Sequence, residues 1–163
     1  MKINILKKAH CGKVSTSEKE TLTYNIGDSD EEYYFRVTDN TGGGYFSNEW
    51  VSLNDITELL PNDTPFNASA LAPLFKSKSA NNAGFLAAAL KAESLLLPVK
   101  ETKRLHTLGD ISSLIKTMQK LVKGKVSLPD EIAEREAVKE AKRTALAEKL
   151  KAKRDEAEAK PKT

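Results

Sequence analysis

The run Thr21-Leu22-Thr23-Tyr24-Asn25-Ile26, the turn Gly27-Asp28-Ser29-Asp30-Glu31 and the run Tyr33-Tyr34-Phe35-Arg36-Val37-Thr38 decide the fold class. Leu22, Tyr24 and Ile26 alternate with Thr21, Thr23 and Asn25, which places the apolar set on one face of a strand. Tyr33, Phe35 and Val37 alternate in the same way against Tyr34, Arg36 and Thr38. An acidic turn joins the two into a hairpin. Outward from it, Ile3–Leu6 reads as a preceding strand. On the other side, Asp39-Asn40-Thr41-Gly42-Gly43-Gly44 is a turn, because glycine takes positive φ without penalty. Tyr45–Val51 then reads as a fourth strand. The expected N-terminal unit over 1–51 is a four-stranded antiparallel meander, too small to bury much area without helices on its apolar face.

From Ser52 the periodicity turns helical. Leu53, Ile56, Leu59 and Leu60 have helical spacing, and Pro61 stops the run. Asn67 or Ser69 caps a short helix through Phe75, in which Pro73 is a breaker unless the helix starts late. Ser79 or Asn82 caps a further helix carrying Phe85, Leu86, Ala89 and Leu90 to about Ser94. Leu95–Val99 and Arg104–Leu108 read as short strands around Lys100–Lys103. Ile111, Leu114, Ile115, Met118, Leu121 and Val122 then follow the i, i+3, i+4, i+7 pattern, while Lys116, Lys120 and Lys123 point elsewhere and Gly124 ends the helix. After Pro129 a long helix runs from Asp130 to about Lys160, with Ile132, Val138, Leu146 and Leu150 as its large apolar residues. The chain is thus α+β: a sheet over 1–51, a helical segment over 52–124 packed with it, and a projecting charged helix over 125–163.

Charge and aromatic content follow this division. Of the 163 residues, all ten aromatics lie between positions 24 and 85. Residues 1–60 carry six basic and ten acidic side chains, residues 61–129 ten basic and four acidic, and residues 130–163 ten basic and nine acidic. The formal net charge of +3 therefore belongs to the middle segment, at +6. The one cysteine, Cys11, excludes a disulfide framework and zinc sites built on paired cysteines. No run approaches the ~18 apolar residues of a membrane span. Met1-Lys2-Ile3-Asn4-Ile5 lacks the apolar core of a signal peptide, so a cytoplasmic location without membrane contact is expected.

Ala70-Leu71-Ala72-Pro73-Leu74-Phe75, Lys76-Ser77-Lys78-Ser79 and Phe85-Leu86-Ala87-Ala88-Ala89-Leu90-Lys91-Ala92-Glu93, followed by the two short strands, carry a resemblance. The order of elements in 52–108 resembles a winged helix-turn-helix. In that family the second helix of the pair lies in the DNA major groove with its N-terminal residues against base edges. The resemblance implies that Ser79, Asn81 and Asn82 meet bases or phosphates, that Lys76 and Lys78 sit on phosphates, and that Lys100, Lys103 and Arg104 occupy the wing. Cations beside a helix N-terminus hold a polyanion by counterion release. The other reading of 53–108 is a helical cap over the sheet with solvated lysines.

Catalysis has little support. His10 and Cys11 are neighbours on a strand and point to opposite faces. Asn40–Gly44 lacks the Lys-Ser/Thr and the strand-to-helix context of a phosphate loop. Asp28, Asp30, Glu31 and Glu32 form an acidic turn without the spacing of a calcium loop. No enzyme activity, cofactor or metal is expected. The small face Ala83-Gly84-Ala87-Ala88 suits either internal packing or docking. The stripe Ile111, Leu114, Ile115, Met118 and Leu121 suits either the protein's own core or a homodimer seam. Nucleic acid or a nucleoprotein is the leading partner. The alternative is a protein–protein adaptor or inhibitor docking through the hairpin tip (Asn40, Gly42, Gly43) and the C-terminal helix (Lys142, Arg143, Lys149). Small proteins of this composition look like accessory proteins of phages or mobile elements.

Overall fold

The computed structural model describes residues 1–13, 20–42, 44–76, 79–100 and 102–160. Its fold is α+β, with a four-stranded antiparallel sheet, three helices packed with it or beside it, a two-stranded sheet and a long C-terminal helix. The sheet runs in sequence order, with β1 Asn4–Gly12, β2 Thr21–Ser29, β3 Glu32–Asn40 and β4 Val51–Ser52. β1 reaches well past Leu6 and pairs through Cys11↔Leu22 and Gly12↔Thr21. The β2–β3 turn is tighter than the sequence suggests. Ser29 pairs with Glu32, and the two residues between them, Asp30 and Glu31, take φ of 50° and 66°. Those signs give the two-residue geometry whose twist matches paired strands. Gly27 sits inside β2 opposite Ile5 and Tyr34.

The expected strand over Tyr45–Val51 is corrected to the short β4. The reason lies in where the backbone of 45–50 finds its partners. Ser47 N–H donates to Asn82 Oδ1 at 2.7 Å, and the Tyr45 carbonyl accepts from Ser79 Oγ at 3.2 Å. Trp50 lies 4.2 Å from the Arg36 guanidinium. Backbone groups satisfied by side chains have no need of a ladder.

α1, Leu53–Leu59, is capped by Ser52, whose Oγ accepts from the N–H groups of Asn54 and Asp55. The Ser52 hydroxyl itself donates to Glu32. Residues Ala68–Leu74 form a 3₁₀ helix containing Pro73, with Asn67 as its cap. Proline removes a donor and crowds the preceding turn, which the tighter, shorter helix tolerates. α2, Asn81–Ala92, starts behind Ala80, which has no capping side chain, so neither expected cap residue holds that position. β5 Leu96–Val99 and β6 Thr102–Leu108 form the second sheet. α3, Ile111–Lys123, is capped by Asp110, and α4, Glu131–Ala159, by Asp130.

Sheet and helical segment share one core. Tyr24, Ile26 and Phe35 from the sheet pack with Leu53, Ile56, Leu71, Leu86, Leu90, Leu95, Leu96, Leu114 and Met118. Each such side chain contributes roughly 1.5–3 kcal/mol through burial. The chain divides into two compact units, Met1–Pro129 and Asp130–Thr163. The second is α4, in which no residue is buried.

On the opposite face of the sheet β2 and β3 are polar yet buried, while Lys8 and His10 of β1 are exposed. Thr23, Asn25, Arg36 and Thr38 are all buried. Arg36 Nη2 donates to Asn25 Oδ1 at 3.0 Å beneath Trp50, and Thr38 Oγ1 donates to the Thr23 carbonyl at 3.3 Å. Most buried polar groups in folded proteins are paired in this way.

Candidate polyanion-binding surface

Of the residues expected to meet nucleic acid at the start of α2, Ser79 is half-buried, Asn81 is exposed and Asn82 is corrected by burial. Asn82 is 2% exposed, with its carbonyl oxygen accepting from Ser47. From there to Leu90, every α2 residue but Gly84 is buried. A recognition helix must present a face to the groove, whereas this one is the central helix of the core. Ala83, Ala87 and Ala88 are buried in the core, so internal packing accounts for these three positions of the small face. Ser79 is tied to Tyr45, and Asn81 Nδ2 reaches the same carbonyl at 3.5 Å. The helical order that carries the resemblance is present, but the exposed reading face is not.

Other expected contact residues do stand in solvent. Lys76, Lys100 and Arg104 are exposed. Lys78 and Gly43 lie outside the described residues, as does the side chain of Lys103 on β6. Asn81 and Arg104 meet at a cavity of about 580 Å³, which Lys13, Asn67, Ser69, Phe85 and His106 also line. Lys13 is committed within it: its ammonium is 3.1 Å from Glu20 and 5.2 Å from the Phe85 ring centre. His106 is 1% exposed, and burial together with Lys91 holds its imidazole below the ordinary value. Its Nδ1 has no hydrogen-bond partner among the described residues.

The hairpin tip is pinned by its own side chains. Asn40 Oδ1 accepts from the Gly42 N–H at 3.0 Å, and the Thr41 N–H and hydroxyl both bond the Thr21 carbonyl. Lys142, Arg143 and Lys149 on α4 are exposed. Of the two readings of the α3 stripe, the structure shows packing on the protein's own core. Leu114 and Met118 are 5% and 0% exposed, and Ile111, Ile115 and Leu121 pack against the same core.

That packing reveals a surface the site prediction missed. With its apolar face turned inward, α3 presents Lys116, Lys120 and Lys123 to solvent. Their i, i+4, i+7 spacing puts them in one stripe roughly 10 Å long. The spacing was legible in sequence, but only burial of the opposite face fixes which side is free. Among the described residues no acid forms an ion pair with these lysines, although Asp110 lies close enough to Lys116 for the two charges to interact. Glu93 accepts from Tyr24 Oη at 2.5 Å and pairs with Lys7 at 2.7 Å, and Asp110 is occupied in capping α3.

The residues with nucleophilic potential are also committed. Cys11 faces the core, and its thiol is pushed up to about 11 by burial, then by Glu93. His10 lies on the other face, with Nδ1 2.8 Å from Thr23 Oγ1. Glu32 leaves the acidic turn to accept from Tyr34 and Ser52, which lowers its carboxyl. Among the described residues no three His, Cys, Asp or Glu side chains come together to hold a metal. No helix among them is long and apolar enough to cross a membrane. Comparison with protein-family models, with curated proteins and with solved structures gave no match.

Proposed function

We propose that the protein is a non-catalytic nucleic-acid-binding accessory protein that works through the basic middle segment. The observation supporting this most directly is the stripe Lys116, Lys120 and Lys123. Three cations stand exposed on one helix face, none in an ion pair among the described residues. Glu93 is engaged by Tyr24 and Lys7, and the exposed Asp110, which caps α3, offsets part of the charge of Lys116 alone. Lys76, Lys100 and Arg104 add exposed positive charge from the same segment. Such a surface positions a phosphate backbone without reading bases.

The mechanism is counterion release. Each phosphate neutralised by a lysine frees condensed cations, so affinity falls steeply with salt. Titration of a short labelled DNA duplex into the protein tests this. Binding should weaken with salt on a log–log line. The triple variant Lys116→Gln/Lys120→Gln/Lys123→Gln should flatten that line by about 3 and weaken low-salt binding by roughly tenfold or more. Equal binding and equal slope in the two proteins would remove α3 from the interface. No binding by the native chain at low salt would end the reading.

A further inference from the structure

Unit 2 carries nine acidic and ten basic residues, yet along α4 the two signs are not mixed at random. At about 100° per residue, Arg135, Lys139, Lys142, Leu146, Lys149 and Lys153 fall on one stripe roughly 27 Å long. Glu134, Ala141, Ala145, Glu148, Ala152 and Asp155 form a second stripe about a third of a turn away, with no cation among them. The cations recur every three or four residues, where a coiled coil would place its apolar seam. All of these side chains are exposed, and no residue of α4 is buried.

We infer that the cationic stripe of α4 is a second nucleic-acid contact, seated along a phosphate backbone. This rests on the nucleic-acid reading above but on a different element. Charge complementarity supports a polyanion, and the composition of the stripe decides its kind. Leu146 is its one large apolar residue, whereas protein partners bury apolar and aromatic anchors and leave lysine at the rim. A phosphate backbone needs only cations in a line. Arg135 and Lys139 lie 3.8 and 3.5 Å from Glu131 and Glu136, but these exposed pairs contribute little and yield to phosphate. The second stripe, three acids and three alanines without a cation, leaves that side of the helix with nothing for a phosphate to pair with.

The test moves charges without changing their number. In the full chain, Lys139→Ala, Lys142→Ala and Lys153→Ala are combined with Ala137→Lys, Ala141→Lys and Ala152→Lys. Composition and net charge stay fixed while three cations move to the acidic side. Circular dichroism checks that helicity is retained. The expected result is a salt slope for duplex DNA lower by about 2–3 and low-salt affinity down about tenfold. Unaltered binding in this variant, with weakened binding in the α3 variant, overturns the α4 contact alone. Unaltered binding in both overturns both assignments, as does a native chain that binds no DNA. If poly-glutamate binds as tightly as DNA and loses affinity equally in the charge-moved variant, the stripe belongs to an acidic protein and the inference fails.

Discussion

His106 shows how one side chain links packing to pH. Its backbone N–H and carbonyl pair with the carbonyl and N–H of Phe66 at 2.8 and 2.9 Å, and its ring is buried beside the cavity. Burial favours the neutral imidazole, and Lys91 adds to that preference. In the unfolded chain the ring titrates near its ordinary value of 6.5. As pH falls through that value the unfolded state binds a proton that the folded state refuses. The stability contributed is therefore complete above 6.5 and is lost on acidification, with a slope of up to ~1.4 kcal/mol per pH unit. Chemical denaturation from pH 7.5 to 5 should show this fall, and His106→Leu should flatten it whatever its effect on absolute stability. Parallel slopes in the two proteins would mean that His106 takes up a proton as readily in the fold as in the unfolded chain.

At the scale of the element, α2 carries two opposite consequences of small residues. An added Cβ at Gly84 meets nothing within 4 Å, so Gly84→Ala should stabilise the helix by about 0.5–1 kcal/mol through propensity. Ala87, at 0% exposure, is pressed against the core, and Ala87→Leu should cost about 1–3 kcal/mol by overpacking. Urea midpoints moving in opposite directions would check both. The sequence shows Ala83, Gly84, Ala87 and Ala88 as one face but does not show what lies against it. Periodicity was informative where one side of an element meets solvent, as in β2–β3 and α3. It was less so for α2, which is buried nearly all round. The meander and the charged helix were legible for that reason. The strand over 45–51 was not, because its backbone bonds go to the side chains of Ser79, Asn81 and Asn82, more than thirty positions on. The contact surface was half legible: the lysine spacing was on view, and the buried state of Asn82 was not.

For the molecule as a whole, the buried apolar residues all lie between Ile5 and Met118, inside the first unit. α4 is held by its own hydrogen bonds, by Asp130 accepting from the Ala133 N–H at 3.0 Å, and by exposed pairs such as Glu140–Arg143 at 3.9 Å. Isolated helices gain little cooperativity from such contacts. Removing residues 130–163 should therefore leave the calorimetric melt of the remainder within about 2 °C of the full chain, a shift worth well under 1 kcal/mol. A much lower melting temperature for the truncated chain would mean that the helix supports the core.

The placement of the aromatics has a consequence for observation. Trp50 is the single tryptophan, its ring lies under the Arg36 guanidinium, and residues 86–163 contain no aromatic side chain at all. Near-ultraviolet light therefore sees the first unit and never the C-terminal helix, while peptide-bond absorption sees both. The indole also carries a fixed positive charge against its face, so its emission reports whether that stack is intact. Two colours of light, applied to one unmodified sample, separate the behaviour of the two units without a dye or a tag.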